Sequence, residues 1–143
     1  MPEPGALQED DSQLIDKAQA LLPILRKHMD SQAFHEALDE IWSLVRLGNG
    51  YVDRQAPWVL RKSDPARMAT VLYVLAEAIR HLGILVQPFM PGASGQLLDQ
   101  LAVAQDRRGF AALGGDSALA PGTVLPAPQG VFPRYVEAEE GAA

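Results

Sequence analysis

The chain has 143 residues, 48% of them apolar, and a formal net charge of −6. That length suits one domain with a single core, and the negative balance excludes broad charge-driven affinity for nucleic acid, which needs cations to neutralise phosphates. The absence of cysteine excludes disulfides and thiolate metal sites, and His28, His35 and His81 fit no zinc spacing, so no metal is expected.

Residues 1–11, MPEPGALQEDD, are rich in proline, glycine and acids and are expected to be a disordered linker. They carry neither a basic flank nor a hydrophobic stretch, and no apolar run in the chain approaches the roughly eighteen residues of a membrane span. A cytoplasmic chain with no membrane partner is therefore expected. A first helix is predicted over Ser12–His28, with Leu14, Ala18, Leu21, Leu25 and Met29 on one side. Pro23 falls inside it and predicts a kink or a break.

The second helix is predicted over Ser31–Gln55, with Ser31 as its cap. Phe34, Leu38, Ile41, Val45, Gly48 and Val52 follow one helical face and keep their phase across both glycines, which favours one continuous helix. The competing reading, a helix ending at Leu47 and resuming at Tyr51, follows from the roughly 1 kcal/mol that each glycine costs relative to alanine. In the continuous helix Trp42, Arg46, Asn49 and Asp53 form a single ridge. Pro57 ends the helix near Gln55. Asp64 and Pro65 then start another, as cap and first residue.

Trp58 is thereby placed on a short elbow between helices, close to Arg54, Arg61 and Lys62. Residues 46–67 are the only net-positive window, with five basic and two acidic side chains against three and nine over 1–45. A solvated surface with ordinary scatter of charge would give the same pattern. Two readings stand for Trp58 on residues alone: a platform on which an unpaired base stacks, or a core aromatic, as large aromatics usually are.

The third helix is predicted from Pro65 to about Val86, with Met68, Leu72, Leu75, Ile79, Leu82 and Val86 in phase. Val71, Val74, Ala78 and Leu85 widen the apolar side, marking the central helix of a bundle. Pro88 and Pro91 end it, and Phe89 and Met90 are available to seal the core. A shorter helix is predicted from Pro91 or Ser94 to Ala102, then one or two turns over 106–113. The proline-rich stretch 114–136 reads as an extended strap anchored by Phe132 and Tyr135, and 137–143 as a disordered tail. The helical domain proper is thus 12–113. Trp42, Tyr51 and Tyr73 are assigned to packing.

No catalytic constellation emerges. GASG at 92–95 and LGGD at 113–116 lack a following lysine and a flanking strand and read as turns. His35, Glu36 and Asp39 read as a solvated helix face.

The segment NGYVDRQAPWVLRKSDPARMATVLYVLAEAIR, followed by LVQPFMP and later VFPRYV, resembles the anticodon-binding helical domain of bacterial methionyl-tRNA synthetases. The resemblance implies an all-α, antiparallel helix bundle of the class I aminoacyl-tRNA synthetase anticodon-binding type, ending in a proline-rich extended strap. It implies that Trp58 stacks on an anticodon base, with Asn49 and Asp53 beside it as hydrogen-bonding groups and Arg46, Arg54, Arg61 and Lys62 completing the surface for the anticodon loop of tRNA(Met). Two positions differ from the family pattern: Gly50 stands where arginine is common and Arg54 where an acid is frequent. H-I-G-H-like and K-M-S-K-S-like motifs are lacking. The resemblance therefore implies a catalytic domain outside this chain that binds ATP and methionine, with no cofactor and no activity expected here. The alternative is a helical protein-interaction module, a synthetase relic that does not bind RNA. Self-association through exposed apolar surface is a further expectation.

Overall fold

The computed structural model describes residues 1–132. It is all-α: α1 (Glu9–Asp30), α2 (Phe34–Gln55), α3 (Pro57–Ser63), α4 (Pro65–Val86) and α5 (Pro91–Gln100), then three short 3₁₀ turns at Gln105–Arg107, Phe110–Leu113 and Gly115–Ser117.

α1 starts earlier than its apolar periodicity indicates. The Gln8 amide donates to the Asp11 carboxylate at 2.8 Å, and Glu9, Asp10 and Asp11 place negative charge on the first turn, where the helix dipole favours it. Residues 1–8 are also not the loose linker that composition suggests. The Gly5 amide donates to Thr70 Oγ1 at 2.8 Å, the Gly122 amide to the Met1 carbonyl at 2.8 Å, and the Met1 amino group to the Thr123 carbonyl. These bonds satisfy the backbone through distant partners, which local composition cannot reveal. Pro23 does not break α1. Pro23 and Gln19, whose carbonyl loses its helical donor, both lie on the exposed side of the helix.

Ser31 closes α1 and does not cap α2: its hydroxyl donates to the His28 carbonyl at 3.0 Å. Gln32 is left-handed (φ 59°) and the Ala33 amide returns to the His28 carbonyl at 2.9 Å, the arrangement usually built on glycine. The chain turns back at this point. Contacts between α1 and α2 run in opposite order, Asp11 to Tyr51, Lys17 to Glu40 and His28 to Glu36, so the two helices are antiparallel.

α2 is continuous through Gly48 and Gly50. Its fully buried line is Ala37, Ile41, Leu44 and Tyr51, rotated from the line centred on Leu38 and Val45, and Phe34 is 50% exposed. α4 behaves likewise: Val71, Val74, Ala78, Ile84 and Leu85 are buried while Leu72 and Ile79 are exposed. A wide apolar stripe leaves its centre to be chosen by its neighbours. The flanks left over, Leu38, Val45, Leu82, Val86, Phe89 and Leu97 among them, line an open apolar cavity of about 470 Å³ between α2, α4 and α5.

α4 begins as expected, with Asp64 Oδ1 accepting the Arg67 amide at 3.0 Å and Pro65 at the first position. It packs on all the other helices and on the second 3₁₀ turn. By length and composition it could cross a membrane, but more than half of its apolar window is buried inside the protein. Its interior polar side chains organise the chain beyond α5. Arg80, 1% exposed, donates to Glu77 Oε2 and, at 2.6 Å, to the Ala112 carbonyl, while Glu77 Oε1 accepts the Leu119 amide. His81 lies between the carbonyls of Glu77 and Leu113, at 2.9 and 3.0 Å. Further on, Gln100 grips the backbone of Gln129 with both amide atoms, at 2.8 and 3.1 Å. Phe132 reaches the rim of the apolar cavity, whereas Tyr135 and the expected tail at 137–143 lie outside the described residues.

Candidate nucleic-acid interface

The elbow between α2 and α4 is itself a short helix. Ala56 takes a left-handed conformation (φ 42°, ψ 61°) and ends α2, its amide bonded to the Val52 carbonyl at 2.9 Å. Its own carbonyl then accepts the amides of Val59 and Leu60, and Pro57 supplies the first helical residue, so α3 forms where a turn is expected. Trp58 is the second residue of α3 and is 59% exposed. Arg61 and Lys62, three and four residues on, share its face.

Arg46, Asn49 and Asp53 are also exposed, along one side of α2 that ends at this elbow. Among the described residues Arg46, Arg61 and Lys62 have no acidic partner. Arg54 is different: its Nε lies 3.0 Å from Asp10 Oδ2, so one of the expected cations is already engaged. Of the aromatics assigned to packing, Tyr51 is buried, and Tyr73 is half-buried with its hydroxyl donating to the Leu119 carbonyl at 2.9 Å. Trp42 is not packed away. It is 53% exposed on the wall of the apolar cavity, because the burial line of α2 passes through Ile41 instead.

Beneath the elbow lies a polar cluster that periodicity does not announce. Arg67 grips Asp11 with two parallel bonds, Nη1 to Oδ2 at 2.6 Å and Nη2 to Oδ1 at 2.8 Å, and reaches Gln55 Oε1 at 2.6 Å. The Tyr51 hydroxyl donates to the same Asp11 carboxylate, and Gln55 Nε2 donates to Asp10 at 3.1 Å. The Asp11 side chain is completely buried and that of Arg67 nearly so. Burial pushes the Asp11 carboxyl up, but the bonds from Arg67, Tyr51 and the Gln8 amide outweigh it and hold the group below the usual carboxylate range. The hydrogen bond to Asp11 raises Arg67, and burial followed by that same carboxylate raises the Tyr51 phenol. One signal was available in the sequence. Arg67 puts a cation in the first turn of a helix, where the dipole disfavours it, and such a residue calls for an acid elsewhere.

The arrangement can present an aromatic face, amide and carboxylate hydrogen-bonding groups and unpaired cations. Among the described residues no group of three or more His, Asp or Glu could hold a metal ion. A family profile described as the anticodon binding domain of methionyl tRNA ligase matches residues 1–142. The chain is 56% identical over 140 residues to methionine–tRNA ligase of Brucella suis, covering 98% of this chain and 27% of that protein. It is 47% identical over 139 residues to methionine–tRNA ligase of Mycobacterium tuberculosis, covering 94% and 26%. The crystal structure of apo methionyl-tRNA synthetase from M. tuberculosis superposes with a TM-score of 0.90 at 45% identity, over 96% of this chain and 28% of that one. The chain thus spans about a quarter of the length of these relatives.

Proposed function

The chain belongs to the family of methionyl-tRNA ligase anticodon-binding domains, and from that premise we propose that it reads the methionine anticodon through an unpaired base laid on Trp58. The observation that carries this reading is the exposure of the Trp58 indole on α3 with Arg61 and Lys62 on the same face. Stacking of a base on an aromatic is worth about 1–3 kcal/mol, enough to dominate a small contact set. Asn49 and Asp53 supply hydrogen-bonding groups to base edges, and Arg46, Arg61 and Lys62 offer charge to the backbone of the loop. Arg54 is half-exposed and shares its charge with Asp10 through Nε.

In this reading ATP-dependent joining of methionine to tRNA(Met) belongs to a catalytic domain outside the chain, which binds ATP and methionine. The strap expected over 114–136 then leads towards that domain, and the setting is the cytoplasm.

The test is a titration of a methionine anticodon stem-loop and a scrambled loop against the chain and its Trp58→Ala form. The expected result is selective binding of the methionine loop that weakens on substitution. Equal affinity in all four combinations overturns the proposal.

The open apolar cavity with Trp42 on its wall favours a second reading, a module that binds protein and not RNA. Salt separates the two. Binding through phosphates weakens as salt rises, with a slope set by the few contacts made, whereas apolar docking changes little.

A further inference from the structure

Resting on the reading of Trp58 as a base platform, we infer that Arg67, bolted to Asp11, is a positioning residue that sets where the platform stands. α3 cannot hold itself in place. It is seven residues long and buries no side chain fully; Pro57 and Leu60, both half-buried, are its apolar footholds, Leu60 against the core. Its ends are a left-handed Ala56 and an extended Asp64 (φ −150°, ψ 80°), both joints at which small dihedral changes swing the adjoining helix. The location of α3 is therefore dictated by the two posts it hangs between, the end of α2 and the start of α4.

Those posts are tied to a single carboxylate. From the α2 side come Tyr51, by its hydroxyl on Asp11, and Gln55, by its carbonyl on Arg67. From the α4 side comes Arg67, only three residues past the joint at Asp64. Asp11 belongs to neither post. It stands in the first turn of α1, so the position of the elbow is referred to the frame of the bundle and not merely to the neighbouring helices.

The energetics point the same way. A cation in the first turn of α4 is unfavourable for that helix. A buried ion pair adds little over an apolar pair of similar volume, its best-attested use being to fix one arrangement among several. The main apolar core, through Leu14, Leu21, Leu44, Val71 and Val74, shares only Tyr51 with this cluster. Loss of the bolt should leave a folded bundle whose elbow samples several positions. The apparent affinity for the anticodon loop then falls by the fraction of chains with Trp58 in place.

The chain has two tryptophans, so with Trp42→Phe as the parent, emission reports Trp58 alone. Arg67→Lys, Asp11→Asn, Gln55→Ala and Trp58→Ala are compared for helicity and stem-loop affinity, and the three that keep Trp58 also for its fluorescence anisotropy. Arg67→Lys and Asp11→Asn are expected to keep parental helicity, to depolarise Trp58, and to weaken binding about tenfold if one chain in ten remains competent. Gln55→Ala, which removes one of three contacts to Arg67, should have a smaller effect of the same kind, and it decides the matter if the other two do not fold. Trp58→Ala weakening binding while Arg67→Lys and Gln55→Ala bind like the parent with unchanged anisotropy overturns the positioning role and leaves the platform standing. Binding unaffected by Trp58→Ala overturns both.

Discussion

Gly50 and Arg54, one turn apart on α2, compete for one volume: a Cβ on Gly50 would lie 3.2 Å from Arg54 Nη1. The guanidinium that leans over the glycine is the one that reaches Asp10 on α1.

Gly50→Ala should stabilise the chain. The far end of Arg54 is half-exposed and can give by a few tenths of an ångström, while alanine in a helix interior gains roughly 0.5–1 kcal/mol over glycine. Urea unfolding monitored by circular dichroism reads the difference, and a lower midpoint would show that Arg54 does not yield.

Tyr51→Phe removes only the hydroxyl that the Asp11 carboxylate receives. A buried hydrogen bond to a charged group is worth about 1.5–3 kcal/mol, and the remaining bonds from Arg67 and Gln8 keep the site satisfied, so a loss near the lower end is expected. Equilibrium unfolding of the variant and the parent measures it. A change under ~0.5 kcal/mol would mean that water replaces the phenol, as at an ordinary surface site.

Asp11 should make stability depend on acid. Its carboxyl is held below its ordinary value in the folded chain, so as pH falls through the usual carboxylate range the unfolded chain binds the proton first. The contribution is complete above about pH 5 and is lost as pH drops through the folded value. Unfolding curves at pH 7, 5, 4 and 3 should therefore show the advantage of the parent over Asp11→Asn shrinking towards acid. A constant gap would contradict the linkage.

Ala56 should tolerate glycine and reject valine. Alanine in the left-handed region bears roughly 1–2 kcal/mol of strain. Glycine relieves this but adds freedom to the unfolded chain worth about 0.4–1 kcal/mol, leaving a small net effect. A β-branched side chain at φ 42° adds strain of order 1–3 kcal/mol. Thermal melts of the two variants should separate clearly.

Glu77→Leu should be the most damaging of these changes. It leaves the Arg80 guanidinium buried with the Ala112 carbonyl as its remaining acceptor, and uncompensated buried charge costs about 3–5 kcal/mol. The Leu119 amide loses its acceptor as well, so its hydrogen exchange should rise to that of its exposed neighbours.

What the sequence disclosed was what local chemistry dictates. The end of α2 at Gln55 and the span of α4 from Pro65 to Val86 follow from Pro57, Asp64 and Pro88, each acting on its immediate neighbours. The continuity of α2 was legible because its apolar phase survives the glycines. The role of Ser31 was not, because a serine between two helices can serve either, and the left-handed Gln32 decides for α1. The burial lines of α2 and α4 shifted because both helices are apolar over more than one stripe, and only their neighbours choose which stripe is covered. At the elbow the ridge and the proline stop placed Trp58 on the bend but left it open between platform and core aromatic, and Trp42, assigned to packing, is exposed. The pairing of Asp11 with Arg67 could not be named in advance: a cation in the first turn of α4 signals that an acid is needed, but with 56 positions between them and neither on an apolar repeat nothing local says which acid.

Gln100 holds Gln129 as an adjacent strand would, but with a side chain and at the surface. Among the described residues the chain beyond α5 is consequently fastened with unequal depth: Leu119 is locked into the interior through Glu77, while the stretch around 124–130 lies at the surface beside α5, held by the solvent-facing Gln100 amide. A protease offered the folded protein should nick the outer stretch early and spare the helices, and Gln100→Ala should hasten that nick without lowering the melting temperature.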